Sequence, residues 1–238
     1  MNINQENLAE ALKKLNDNYP DLDENNKRST GSSNVQTITD ERYEKIGMKR
    51  SRFQNVIYSN CIFKNTAFSA SSFQNTTFQN TELSGTSLSC CNFFDCHFLN
   101  DTLTDNIYSG NNLSQSNFTA CEFYKVQFKS SGFLQSLFYN CNFFEVIFQS
   151  STLEGSSFNG CCFEKVNAGH TSIEFIELSN ATLKSVIFPF YQFAYVIGAS
   201  DLLKKYPKEI SFLAGDKEVT CSEYLCQRSN LIFYYLDK

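Results

Sequence analysis

The sequence predicts an all-β solenoid, a chain wound into a four-walled tube. Three observations predict it: an apolar residue returns at every fifth position, a small residue sits two places before each of these, and like residues stack when the chain is wrapped every twenty residues. Stepping by five from Phe53 gives 29 consecutive positions ending at Phe193, filled by Phe, Tyr, Leu, Ile or Ala, with no insertion or deletion. A helix repeats every 3.6 residues and a flat strand every 2, so neither explains an odd period of five. An extended chain keeps such a period only if every unit also turns a corner. Within a unit, the residue two before the centre shares its direction with the centre, and the residues flanking the centre point the other way. The inward pair therefore falls at positions −2 and 0, and the corner near +2.

The −2 series supports this independently. From Ser51 to Ala181 it holds almost only Ser, Thr, Cys, Val and Asn, whereas −1, +1 and +2 carry most of the Gln, Lys and Glu. One −2 column, taken every twenty residues, reads Cys61, Thr81, Asp101, Cys121, Cys141, Cys161; the next reads Thr66, Thr86, Asn106, Val126, Val146, Val166, Val186. One central column holds Tyr58, Phe78, Phe98, Phe118, Phe138 and Phe158. Of 24 Phe, 18 occupy the central position, so the aromatic excess belongs to the repeat. On these residues the chain resembles the pentapeptide-repeat proteins over roughly residues 48–193. The resemblance implies a right-handed quadrilateral β-helix, four units per coil. About seven coils at about 4.8 Å each give a tube roughly 35 Å long, with short α-helical segments expected at its ends.

A solenoid exposes unpaired backbone at both ends and needs caps. Residues 1–42 divide into a short amphipathic helix over 5–16, with Leu8, Leu12 and Leu15 on one face, and a polar linker over 17–36. An irregular first coil is expected within 37–52, the β-helix proper over 43–193 and a C-terminal cap over 194–238. Thr220 and Glu223 form a capping-box pair ahead of a helix that runs into Leu231–Leu236. That apolar run needs a covering surface. The last coil of its own chain serves, or a second copy, which makes Phe233, Tyr234 and Tyr235 a candidate homodimer surface. No run of about 18 apolar residues exists and the N-terminus lacks an apolar signal core, so a cytoplasmic protein that does not enter membranes is expected.

Ten cysteines raise the question of metals and disulfides. Six lie in the small inward slot, where Cys is a compact apolar filler, and free thiols are expected. The nearest zinc-like group is Cys90, Cys91, Cys96 and His97, but the repeat phase sends Cys91 and Cys96 inward and the other two outward, so no metal is expected. Asp101, Asn106 and Asn111 put three polar residues into successive inward slots beside Tyr108. This irregular coil is read either as side chains bonding corner backbone groups or as a recognition loop. Ala168 and Gly169 mark a second weak coil. His97 and His170 lie almost four coils apart, roughly 17 Å along the axis, and no phosphate loop, nucleophile elbow or dinucleotide motif occurs. Neither catalysis nor a cofactor is expected.

The resemblance also implies a function to weigh: mimicry of DNA by family members that bind DNA gyrase and confer quinolone resistance. Duplex DNA carries about one charge per 1.7 Å, so a tube of roughly 35 Å would need about 20 negative charges. Residues 51–193 hold ten acidic against six basic residues. That charge is far short, and a net −5 for the whole chain equally argues against direct nucleic-acid binding. The other reading is a protein-interaction scaffold with an unidentified partner. Its candidate patch comprises Tyr124, Leu134, Tyr139 and Phe144 at +1 positions with Leu137 and Ile147 at −1 positions, amid an otherwise Ser-, Thr-, Asn- and Gln-rich exterior.

Overall fold

The computed structural model describes residues 35–228. The expected helix at 5–16, the linker before Val35 and the apolar run with Phe233, Tyr234 and Tyr235 lie outside the described residues. Within them most five-residue units contribute one three-residue strand and one bend, and strands twenty residues apart pair in parallel. Tyr58 lies opposite Phe78, and Phe98 opposite Phe118. Both members of the inward pair are buried as the repeat phase requires. The centres from Phe53 to Phe148 are all 5% exposed or less, and Cys61, Cys91, Cys96, Cys121, Cys141 and Cys161 are fully buried.

The corner falls at +2. Asn55, Asn60, Asn65, Asn75, Asn80, Asn100, Asn140 and Asn180 all take φ between 47° and 57°, a left-handed conformation that Asn tolerates better than most residues. The amides also bond along the tube: Asn75 Nδ2 donates to Asn55 Oδ1 at 2.8 Å, and Asn100 to Asn80 at 3.3 Å. The corner thus explains why Asn recurs at +2: one side chain both permits the bend and ties successive coils.

The coil number differs from the expected seven: the solenoid has about nine turns. On the first wall seven strands follow one another from Gln36–Thr39 to Ser157–Asn159, and Glu177 and Ile197 add two bridged levels. The segment expected to be irregular is regular. Ile38, Tyr43 and Met48 occupy centres and pair opposite Tyr58, Phe63 and Phe68, so the paired chain begins at Gln36, upstream of the boundary drawn at 43. The charged residues between these centres point outward and obscure the period without breaking it.

At the far end the strand Ile210–Ala214 takes the next rung of the third wall, with Phe188 opposite Phe212. Lys217–Thr220 then pairs antiparallel with it, ending the parallel stack. The helix Cys221–Arg228 follows. Its capping box forms as the sequence predicts: Thr220 N donates to Glu223 Oε2 at 2.7 Å and Glu223 N donates to Thr220 Oγ1 at 3.3 Å. Tyr224 stacks on Phe212 at 4.0 Å and meets Phe190 edge-on, so the helix closes the aromatic interior. Arg228 donates to the Phe190 and Tyr191 carbonyls, which pins the helix end. The weak coil at Ala168 and Gly169 is a bulge, with register shifts against Ile147–Thr152. Leu213 packs over Gly169, where an added Cβ would lie 2.8 Å from its side chain.

Candidate functional site

Among the described residues the aromatic interior is tightly filled. The cavity among Phe63, Phe78, Phe98, Leu103, Tyr108 and Phe118 measures about 10 Å³, at the lower limit for a single water. Stacking accounts for this: Phe98, Phe118, Phe138 and Phe158 follow one another with ring centroids 4.6 Å apart and nearly parallel planes, matching the rise of one coil. The outer positions of the described walls are the ones that present side chains to solvent.

The irregular coil forms no recognition loop. Its three polar side chains are buried and bonded to the coil beneath. Thr81 N–H donates to Asp101 Oδ1 at 2.7 Å, Thr86 N–H to Asn106 Oδ1 at 2.7 Å and Cys91 N–H to Asn111 Oδ1 at 2.8 Å. Asn106 Nδ2 also reaches the Tyr108 hydroxyl at 3.0 Å, and burial pushes that phenol up. Cys91 and Cys96 face inward while Cys90 is exposed, so the wall separates the cysteines of the zinc-like group. His97 is paired instead with Asp95 at 3.6 Å and Asn117 at 3.2 Å. Burial pushes the Cys96 thiol up to about 11.

The outward apolar residues form a band around the tube. Tyr124 and Phe144 share the second wall, with ring centroids 5.1 Å apart and planes 1° from parallel. Lys125 Nζ lies 4.9 Å from the Tyr124 ring centroid, and Lys165 Nζ 4.9 Å from that of Phe144 while also 3.0 Å from Glu145 Oε1. Leu137 and Tyr139 sit on one strand of the first wall, 54% and 52% exposed, with Leu134 just before the preceding corner. Ile147 begins the third-wall strand after the corner that follows Phe144. The structure thus brings Tyr124 and Phe144 into contact and puts Leu137 beside Tyr139, with corners between the groups.

Sequence reasoning missed other exposed apolar side chains. Phe94 and Ile107 are exposed at outward positions that the repeat phase itself assigns. Phe175 occupies a corner at φ 60° with its ring centroid 6.4 Å from that of Tyr195, one coil on, and Tyr191 is 70% exposed. A bulky ring at a corner that elsewhere takes small, polar or charged residues was the available signal. The second wall also holds a shallow hollow of about 310 Å³ lined by Asn80, Glu82, Ser84, Asn100, Thr102 and Thr104.

The five-residue unit, the left-handed corners and the four-walled parallel stack define a β-solenoid built of five-residue repeats. Residues 51–128 match the family model described as pentapeptide repeat region. No curated protein matches the chain. Among solved structures it is similar to a trypsin-treated form of QnrB1, a plasmid-mediated fluoroquinolone resistance protein, at 15% identity and a TM-score of 0.39, covering 67% of this chain and 78% of that one. It is similar to HetL, a pentapeptide repeat protein involved in heterocyst differentiation regulation from the cyanobacterium Nostoc sp. strain PCC 7120, at 13% identity and a TM-score of 0.25, covering 65% and 92%. It is also similar to the pentapeptide repeat protein Rfr23 from the cyanobacterium Cyanothece 51142, at 14% identity and a TM-score of 0.17, covering 61% and 90%. No helix among the described residues is long and apolar enough to cross a membrane.

Proposed function

We propose that this chain is a non-enzymatic scaffold that docks a protein partner on the outer wall carrying Tyr124 and Phe144. The observation that carries the reading is the outward stacked ring pair, Tyr124 exposed and Phe144 half-buried, held under Lys125 and Lys165. Interfaces favour rigid aromatic groups of this kind, because they bury large area at little cost in side-chain entropy. Leu134, Leu137, Tyr139 and Ile147 extend apolar surface to either side and form the rim of the footprint. The filled interior supports the same reading, since a substrate would have to be held on an open wall.

Gyrase modulation by DNA mimicry is the competing reading, and the surface charge weighs against it. Along one corner column Asp105, Lys125, Glu145 and Lys165 alternate in sign, where a DNA-like face needs rows of acids. The test is affinity purification with the wild type and with a Tyr124→Ser, Tyr139→Ser, Phe144→Ser variant whose melting curve is unchanged. Loss of the partner from the variant alone supports docking on this wall; a partner held equally by both overturns it. Inhibition of supercoiling by purified gyrase, or its protection from a quinolone, would establish the competing reading instead.

A further inference from the structure

In most inward −2 slots that hold a donor one bonding pattern recurs along the tube, although the buried Ser116 hydroxyl makes no hydrogen bond and Val has none to make. The side chain donates to the carbonyl of the central residue 23 positions earlier: Thr81 to Tyr58 at 3.4 Å, Thr86 to Phe63 at 3.2 Å, Cys96 to Phe73 at 3.5 Å, Cys121 to Phe98 at 3.3 Å. Asn106 and Asn111 obey it with their amide nitrogens, on the Leu83 and Leu88 carbonyls at 2.9 and 3.0 Å, while their amide oxygens accept the N–H one coil below. Asp101 occupies the same slot one unit before Asn106. One carboxyl oxygen accepts the Thr81 N–H, as in the two Asn, and the other accepts the Leu99 N–H at 3.1 Å. By this pattern the carbonyl matched to Asp101 is that of Phe78, and an ionised carboxylate has no hydrogen to give it.

We propose that Asp101 is held as a neutral carboxylic acid that donates its proton to the Phe78 carbonyl, and that loss of this proton is a pH switch which loosens the tube at this coil. Between Ser51 and Ala181 it is the one acid in an inward slot. It is fully buried, and no ion pair reaches it among the described residues. The titratable groups set near it in the interior are the Cys121 thiol one coil on, pushed up by its bond with Cys141 and by burial, and the Tyr108 phenol, pushed up by burial. Neither supplies a positive charge. Burial pushes the Asp101 carboxyl up to about 7 against the pull of its two backbone N–H donors. Because the folded value lies above the ordinary 3.8, the folded state holds the proton more tightly than the unfolded chain. The stabilisation is complete below about pH 4, declines as pH rises and is gone above about 7.

The experiment is a pair of measurements on the full chain. Carboxyl ¹³C NMR follows Asp101 in the wild type, and denaturant unfolding is run from pH 5 to pH 8 on wild type, Asp101→Asn and Asp101→Thr. Asn reproduces Asn106 and Asn111; Thr reproduces Thr81, the residue one coil below, and serves if the Asn variant does not fold. The expected results are a carboxyl midpoint near neutrality and a wild-type unfolding constant that rises, relative to the variants, roughly a hundredfold over this range, at a factor of ten per unit of linked titration. A midpoint below pH 5, or variants that keep the wild-type pH dependence, would overturn the proposal.

Discussion

Replacing Phe118 by Ala tests what holds the tube together. Phe118 is 2% exposed, stacked at 4.6 Å on Phe98 below and Phe138 above, and tilted against Phe123 and Phe133 at 5.9 and 6.4 Å. Truncating a buried Phe to Ala costs about 3–5 kcal/mol, and the two broken stacks put this site at the upper end, near 5 kcal/mol. A solenoid coil touches only its neighbours, so the lost contacts cannot be recovered from elsewhere in the core. Phe118→Leu should lose about 1.5 kcal/mol or less, because Leu keeps most of the volume and Leu178 already fills a centre of this wall. The chain has no Trp. Urea unfolding is therefore followed by far-ultraviolet circular dichroism and tyrosine fluorescence at one pH. The alternative is that the backbone ladder alone sets stability. A loss below about 1 kcal/mol for Ala, or equal losses for Ala and Leu, would refute the reasoning.

Two further outcomes follow from the column chemistry. Val146 fills a −2 slot without a donor, in the column where Thr86 serves the Phe63 carbonyl. Burying an unpaired hydroxyl costs about 1–3 kcal/mol, but the Phe123 carbonyl holds the place relative to Val146 that the Phe63 carbonyl holds to Thr86, so Val146→Thr should stay within about 0.5 kcal/mol of wild type in urea unfolding. Lys125→Glu inserts an acid between Asp105 and Glu145, so that three like charges stand a rung apart in one column. The melting temperature of this variant should fall at low salt and recover toward wild type as salt rises, since about 0.15 M already screens beyond about 8 Å. A deficit that persists unchanged in concentrated salt would show that packing on Tyr124, rather than charge, is what the substitution removed.

The wall positions were legible because two independent series, the large centres and the small −2 residues, had to agree in phase before an inward direction could be assigned. The corner at +2 followed from the same phase, and its Asn content has a cause visible only in the backbone, where the φ is positive. The coil at Ile38, Tyr43 and Met48 was obscured because charged outward residues between the centres mask the period locally. The rung at Ile210–Ala214 carries no five-residue signature at all. It is placed by pairing with Val186–Pro189 and by Leu213 lying over Gly169, contacts between segments far apart in sequence. Of the site, the Tyr124–Phe144 stack could be read by wrapping the sequence every twenty residues. The lysine over Phe144 could not, because Lys165 must lean from a corner toward a ring on the rung below.

A register locked at twenty residues gives every outward column a choice that shapes what the wall can bind. Neutral amides gain by stacking like on like, as Asn60, Asn80 and Asn100 do, because each donates to the next. Ionised groups lose by the same arrangement, since like charges then stand one rung apart along the whole tube. This chain resolves its second wall by alternation: Lys165 bonds Glu145, and Lys184 bonds Glu164 at 2.7 Å. Alternation removes the long-range field that would steer a highly charged partner. It also leaves the lysine stems free to brace the rings of Tyr124 and Phe144 in a fixed, outward-facing stack. The same twenty-residue constraint that makes a DNA-like face costly therefore favours short-range, shape-dependent contact through rigid aromatic rings.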